Sequence, residues 1–418
     1  MFQALRIRDF RLLWGGSVIS ALGTWLLVLA IPAHVLLVTG SLRDTGLTLA
    51  AQYLPVLILG PVAGVVTDRC DRRRLMIATN LFRAGAVAVM LLGTSPSRYW
   101  VLYVGLLAES SGGVLYIPAW LARTPAIVGT GTQLSSANSL NALADGAVRL
   151  VGGPLGGILL ATLGVKWLIC ADAVSYLVSA AANTLTSHPA GKRPAGKRPP
   201  GKRPTIGNVA RDLAEGGRVL RAQPVARALL PVTVIFLAAN AALTAMLIPL
   251  GVRRLGGTEH IGFLFSALGV GFLLAAPVLR ALLDRIQPRA LLTATLTGTG
   301  AGYLLLFTST SLATALPAGV AIGLFGSMSE VIPQTAMQRV IRGTVLGRIS
   351  AVFLTGEAAA GLIGAVAGPF LAQAVHLAGL AVVASLVTLA AATLTRLAVP
   401  RMAAIVPEPP PAAGLSHS

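Results

Sequence analysis

Charge is what this 418-residue sequence has least of: only 11% of it is Asp, Glu, Lys or Arg, and the acids number 14. A soluble globular domain carries about 25% charge, so this chain lacks the polar surface to stay in water. Cysteine is nearly missing. Cys70 falls in a basic loop and Cys170 in an apolar run, which excludes a disulfide framework and leaves reduced thiols. Five histidines (His34, His188, His260, His376 and His417) are scattered. His34, near one end of the first apolar run, reads as an interfacial residue. No metal-ligand spacing occurs, so no metal and no cofactor is expected. Every Gly-Lys is followed by Arg, so the phosphate-cradling Gly-x-x-x-x-Gly-Lys-Ser/Thr loop of an ATP-driven pump is absent. No catalytic dyad points to an enzyme. The first apolar run, 12–38, is longer than the 7–15-residue core of a cleavable signal, so it is expected to stay as a membrane span.

What is present is hydrophobicity: 55% of residues, with a mean hydropathy of +0.78. Twelve apolar stretches read as spans, at 12–38, 46–66, 75–94, 99–122, 136–162, 165–186, 228–252, 261–283, 289–309, 311–336, 346–373 and 375–397. Backbone facing lipid has no water to bond, so each must be helical. With the N-terminus inside, cytoplasmic segments hold 26 Lys/Arg and outer segments five, which orients the chain by the positive-inside rule. The net charge of +19 is thereby assigned to a membrane face, and no nucleic-acid partner is expected. Arg exceeds Lys 29 to 4, a hint of a GC-rich bacterial genome and hence of a bacterial inner membrane. Residues 188–227 carry three Gly-Lys-Arg-Pro repeats and read as an extended basic cytoplasmic linker. It joins a bundle at 1–187 to a second at 228–400, and the tail 401–418 is expected to be disordered.

The two halves echo each other. Residues 60–75 and 276–291 align with an offset of 216: Pro61 meets Pro277, Asp68 and Arg69 meet Asp284 and Arg285, and Arg73 meets Arg289. Pro118 meets Pro333, and Gly153 with Pro154 meets Gly368 with Pro369, both at 215. A hydrophobic duplication of this kind marks a transporter built from repeats. Gly64, Asp68, Arg69, Arg72 and Arg73 resemble the loop motif between helices 2 and 3 of the major facilitator superfamily, with Asp71 where many members have Gly. The resemblance implies twelve transmembrane helices in two pseudo-symmetric six-helix bundles, an all-α integral membrane protein. It also implies that this loop, with a weaker copy at Asp284, Arg285 and Arg289, works as a conformational latch as the bundles rock.

Gly152, Gly153, Pro154, Gly156 and Gly157 resemble the glycine-rich helix 5 element of antiporters in that superfamily, with Arg149 in place of its first glycine. The plain alternative is close helix packing. Residues 8–25 resemble drug, macrolide and siderophore exporters, many of which have Asp where this chain has Thr24. A charge in the hydrocarbon costs about 2.5–3.5 kcal/mol on the insertion scale, so intramembrane acids are functional candidates. These are Glu109, Asp145, Asp172, Glu330 and Glu357, with Arg83 and Arg149 as the bases. Asp145 and Arg149 are four apart and expected to pair. Arg83 can neutralise one more acid, which leaves at least three without a partner of opposite sign; Glu109, Asp172 and Glu357 are the candidates to carry protons, although Asp172 also suits a structural role. A midplane cavity between the bundles is expected to be mainly apolar with few aromatics. Gln52, Tyr53, Arg83, Asn138, Asn141, Asn240 and Gln334 are its polar candidates. The reading is a monomeric secondary transporter exporting a small lipophilic or amphipathic compound against protons. An uptake symporter of the same fold and a non-transporting membrane sensor or lipid-handling protein are the alternatives.

Overall fold

The computed structural model describes residues 2–129, 132–187, 217–253, 255, 258–283, 285–340 and 343–400. Among them twelve helical stretches are long and apolar enough to cross a membrane. They are numbered spans 1–12 in chain order. Spans 1–6 are Arg8–Thr39, Leu42–Ala63, Arg72–Gly93, Trp100–Val128, Ser136–Leu163 and Val165–Leu185. Spans 7–12 are Pro224–Gly251, His260–Leu282, Pro288–Thr308, Leu312–Met337, Val352–Ala372 and Ala378–Ala398. All twelve sequence-predicted spans are recovered, and no strand occurs among the described residues.

Local chemistry explains the boundaries. Gly40 ends the first helix at φ 64°, its N–H bonded to Leu36 O at 2.8 Å, a left-handed position that glycine takes without strain. Ser41 caps the next helix by accepting from Asp44 N at 3.2 Å. Asp71, the residue that departs from the loop motif, caps the helix of span 3: its Oδ1 accepts from Arg74 N at 2.8 Å.

The sequence predicts separate helices for spans 11 and 12. Helical hydrogen bonding instead runs unbroken from Gly343 to Ala398. Phe353 and Ala391 nevertheless belong to one core cluster, although a straight helix would hold them about 57 Å apart. The element therefore folds back between the two spans.

Packing repeats the sequence duplication. In the first half span 1 meets spans 5 and 6, span 2 meets span 4, and span 3 meets spans 4 and 6. Adding six to each number gives the packing of the second half. The halves join through spans 2 with 11 and 5 with 8, which the same operation exchanges. Glycine makes both joints tight. A Cβ on Gly146 would come within 2.0 Å of Leu273, and one on Gly361 within 2.6 Å of Tyr53. Gly146 and Gly361 are themselves 215 apart.

The apolar clusters distinguish the two ends. Near Leu36, Leu42, Ile248 and Ile261, the end away from the N-terminus, clusters contain residues of both halves. There Arg43 lies over the Phe370 ring at 5.1 Å, and Pro369 presses on Gly46. Toward the N-terminal, basic end each cluster stays within one half. Among the described residues the apolar clusters join the halves at one end and stay within each half at the other.

Candidate functional site

Inside the first half, spans 1, 3, 4 and 6 converge on a polar node. Arg83 of span 3 forms a buried ion pair with Glu109 of span 4, its Nε donating to Glu109 Oε1 at 3.0 Å. Tyr176 of span 6 donates to the same Oε1 at 2.7 Å, and Arg83 also donates to the Tyr176 hydroxyl. The guanidinium sits 4.1 Å from the Tyr176 ring centroid. Thr24 of span 1 completes the chain, its hydroxyl 2.7 Å from that of Tyr176. Hydrogen bonds thus run from Thr24 through Tyr176 to Glu109. Glu109, a candidate proton carrier, is the acid that Arg83 serves, and it has two partners, a guanidinium and a phenol. A correctly placed arginine offsets the cost of a charge in hydrocarbon, and only the fold brings residues 26 apart in sequence, on two spans, together.

Asp172 lies on span 6, one turn before Tyr176, and is wholly buried. Its Oδ1 accepts from Ser175 Oγ at 3.1 Å, while its Oδ2 meets no hydrogen-bond donor among the described residues. Span 1 passes so close that a Cβ on Gly23 would lie 2.5 Å from Asp172 Oδ1. Of the three candidate proton carriers, Asp172 is the most deeply buried. Glu357 is half-buried on span 11 and bonded to Gln334 of span 10. Asp145 is exposed on span 5. The side chain of Arg149 is outside the described residues, and so is the expected Asp145–Arg149 pair.

A cavity of about 160 Å³ opens in the second half. Of the polar candidates only Asn240 lines it, joined by Glu330 from among the acids and by Trp25 reaching over from span 1. Tyr303 donates to Asn240 Oδ1 at 2.7 Å. Five aromatics, Trp25, Phe265, Phe272, Tyr303 and Phe307, line this cavity. The chain is poor in aromatics, but helical spacing gathers them, with Phe265 and Phe272 two turns apart and Tyr303 and Phe307 one turn apart.

The other candidates lie elsewhere. Arg83 serves the node. Tyr53 packs on Gly361 in the joint between halves. Gln52 and Asn141 are half-buried, and Asn138 and Gln334 are exposed. Polarity alone does not tell a cavity-facing amide from one at a helix end.

In the loop motif, the described contacts of Arg72, Arg73 and Arg289 stay within their own halves. Arg73 donates to the carbonyls of Asn183, at 3.0 Å, and Thr184, closing the end of span 6. Its repeat mate Arg289 donates to the carbonyl of Arg396 at the end of span 12. Arg72 reaches Ala122 O at 3.2 Å. Arg285 is exposed. The backbone of Gly64, Asp68 and Arg69 is helical, but their side chains, like Asp284, lie outside the described residues. Arg73 and Arg289 thus clasp the C-terminal ends of spans 6 and 12, where carbonyls lack partners, while Arg72 bonds a carbonyl inside span 4. On span 5, Gly152 abuts Trp25 and Gly156 abuts the Leu26 backbone. Gly157 is buried, and the side-chain surroundings of Gly153 and Pro154 are outside the described residues.

Comparison with known proteins agrees with this architecture. A family model described as "Transmembrane secretion effector" matches residues 1–412. The chain is similar to the enterobactin exporter EntS of Citrobacter koseri, at 26% identity over 93% of this chain and 92% of that one. It is similar to macrolide efflux protein A of Streptococcus pyogenes, at 24% identity over 68% of each chain. A match to the uncharacterized MFS-type transporter YfiS of Bacillus subtilis reaches 30% identity but spans 40% of each chain. Among solved structures, a point mutant of the nucleoside transporter NupG superposes with a TM-score of 0.68 at 12% identity, over 94% of this chain and 98% of that one.

Proposed function

This chain belongs to the transmembrane secretion effector family of the major facilitator superfamily, and from that premise we propose that it exports a small lipophilic or amphipathic compound in exchange for protons. Several relatives are named as exporters or efflux proteins, and the fold supplies the moving parts, two bundles that meet along spans 2 with 11 and 5 with 8. The observation that carries the proton half of the reading is Asp172, buried completely, with one carboxyl oxygen that meets no donor among the described residues, a turn from the residue that bridges the Arg83–Glu109 pair. A lone carboxyl in hydrocarbon meets the cost of its charge by taking a proton. Placed near a guanidinium whose partner can change, it has a reason to give that proton up again.

Thr24 fits this scheme. Where resembling exporters place an acid on span 1, this chain places a hydroxyl that reaches Glu109 through Tyr176. In our reading the acid function has moved from span 1 to spans 4 and 6, with Tyr176 as the bridge. In this reading the cargo enters from the basic end, where the apolar clusters of the two halves stay separate and which the positive-inside rule assigns to the cytoplasm. Rocking of the halves then opens the end where they join.

The test is transport into inside-out vesicles carrying the full-length protein. A lipophilic dye should accumulate when a proton gradient is imposed, and a protonophore should abolish the accumulation. Asp172→Asn and Glu109→Gln should each lower gradient-driven accumulation by about tenfold or more at equal protein level, while downhill exchange of dye survives in Asp172→Asn. Accumulation that ignores the protonophore, or wild-type rates with both carboxyls replaced by amides, would refute proton coupling.

A further inference from the structure

We infer that the cavity of the second half is a binding subsite for the head of an organic cation: an ammonium or other onium centre carried on an aromatic or branched apolar body. The inference rests on the export reading above and names the chemical class of its cargo.

Three observations carry it. The first is concentration. The protein has 5 Trp, 6 Tyr and 11 Phe in 418 residues, and five of them, Trp25, Phe265, Phe272, Tyr303 and Phe307, line one cavity. Aromatic faces carry a negative quadrupole and attract cations, quaternary ammonium groups above all. The second is charge. Among the described residues that line the wall, Glu330 is the one carboxyl, and none is Lys, Arg or His. An aromatic cage with an acid at its edge favours a cation over an anion by field and over a neutral body by cation–π attraction. The third is size. A cavity of about 160 Å³ compares with the engineered cavity of about 150 Å³ that holds benzene. It admits one ring or one onium head, so it seats part of a larger molecule whose remainder lies outside it.

The repeat shows how the second half differs from the first. At an offset of 216 Thr24 and Arg83 correspond to Asn240 and Thr299, and at the 215 offset of span 4 Glu109 corresponds to Leu324. The positions that hold an ion pair in the first half hold a threonine and a leucine in the second. The first half places charges at these positions and the second places none, while Asn240, the repeat mate of Thr24, lines the cavity. Trp25 links the two. It follows Thr24 on span 1, is pressed into place by Gly152 of span 5, and closes the cavity wall from the other half.

The experiment is calorimetric binding to the purified full-length protein in lipid nanodiscs, with three probes of similar size. Trimethylphenylammonium is the cation, tert-butylbenzene its neutral isostere, and benzoate the anion. The wild type should bind the cation about tenfold or more tighter than the isostere and bind benzoate more weakly than either. Glu330→Gln should reduce the preference for the cation to about threefold or less while leaving affinity for tert-butylbenzene and the unfolding temperature unchanged. Phe272→Ala, which keeps the acid but thins the cage, should weaken the cation about tenfold. Equal binding of cation and isostere, no binding of the cation, or a preference that survives Glu330→Gln would overturn the assignment. Failure here can be told from failure of the export reading. If no cation binds yet proton-driven efflux of a neutral or anionic compound persists, the cargo class falls and transport stands. If cations bind but no compound moves in vesicles, transport falls and the subsite stands.

Discussion

At the scale of residues the molecule turns on Arg83. Its guanidinium serves a carboxylate and a phenol and stacks on the phenol's ring. Breaking a buried pair by removing one partner costs about 3–5 kcal/mol, whereas removing both costs less than the sum, because no charge is left stranded. Arg83→Met and Glu109→Gln should therefore each destabilise strongly, and the double variant should recover part of the loss. Denaturant unfolding of the purified protein gives the coupling; additive effects would mean the pair is not energetically coupled. That Arg83 and Glu109 matter is legible in the sequence, because charges in apolar runs are rare. Which acid Arg83 serves is not, since Glu109 and Asp172 lie on different spans and only interhelical packing chooses between them. Tyr176 stays hidden for the same reason: a tyrosine in an apolar helix gives no sign that its hydroxyl joins two charges.

At the scale of elements the repeat decides what each helix end does. Arg73 and Arg289, matched in sequence, both bond the final carbonyls of the last helix in their half. Each is a charged donor to partly exposed carbonyls, worth about 1 kcal/mol once screening is allowed for. Arg73→Ala should accelerate amide hydrogen exchange at 183–187 several-fold and leave spans 1–5 unchanged. Unchanged exchange there would remove the clasp. The spacing of Gly152 and Gly156 signals a close helix contact, and that contact is with Trp25 and Leu26 of span 1. The Asp71 cap follows a rule that the loop motif obscures: an acid immediately before the first helical residue accepts from the amide three residues on.

At the scale of the whole molecule, the joined end is the part that must move. Arg43 and Phe370 touch across the halves there, so alternating access requires them to separate. Arg43→Cys with Phe370→Cys, in a protein whose Cys70 and Cys170 are replaced by Ser, should be joined by a short bismaleimide with a disulfide in its spacer. Transport should stop, and reduction of the spacer should restore it to near its starting rate. Transport that continues at an undiminished rate while the two positions stay joined would show that this end does not open.

Composition and basic-residue placement determined that the chain is a twelve-span helical membrane protein, and the 215–216-residue echo determined that it is built twice. These are properties of single helices and of linear order, fixed by the cost of exposing backbone and charge to lipid. Tertiary structure alone decided that Arg83 serves Glu109 and leaves an oxygen of Asp172 without a donor among the described residues, that scarce aromatics meet in one hollow, and that apolar clusters join the halves at one end. Each of those depends on which helix faces which, and helix facing is set by side-chain fit between spans far apart in sequence, a quantity that no local pattern records.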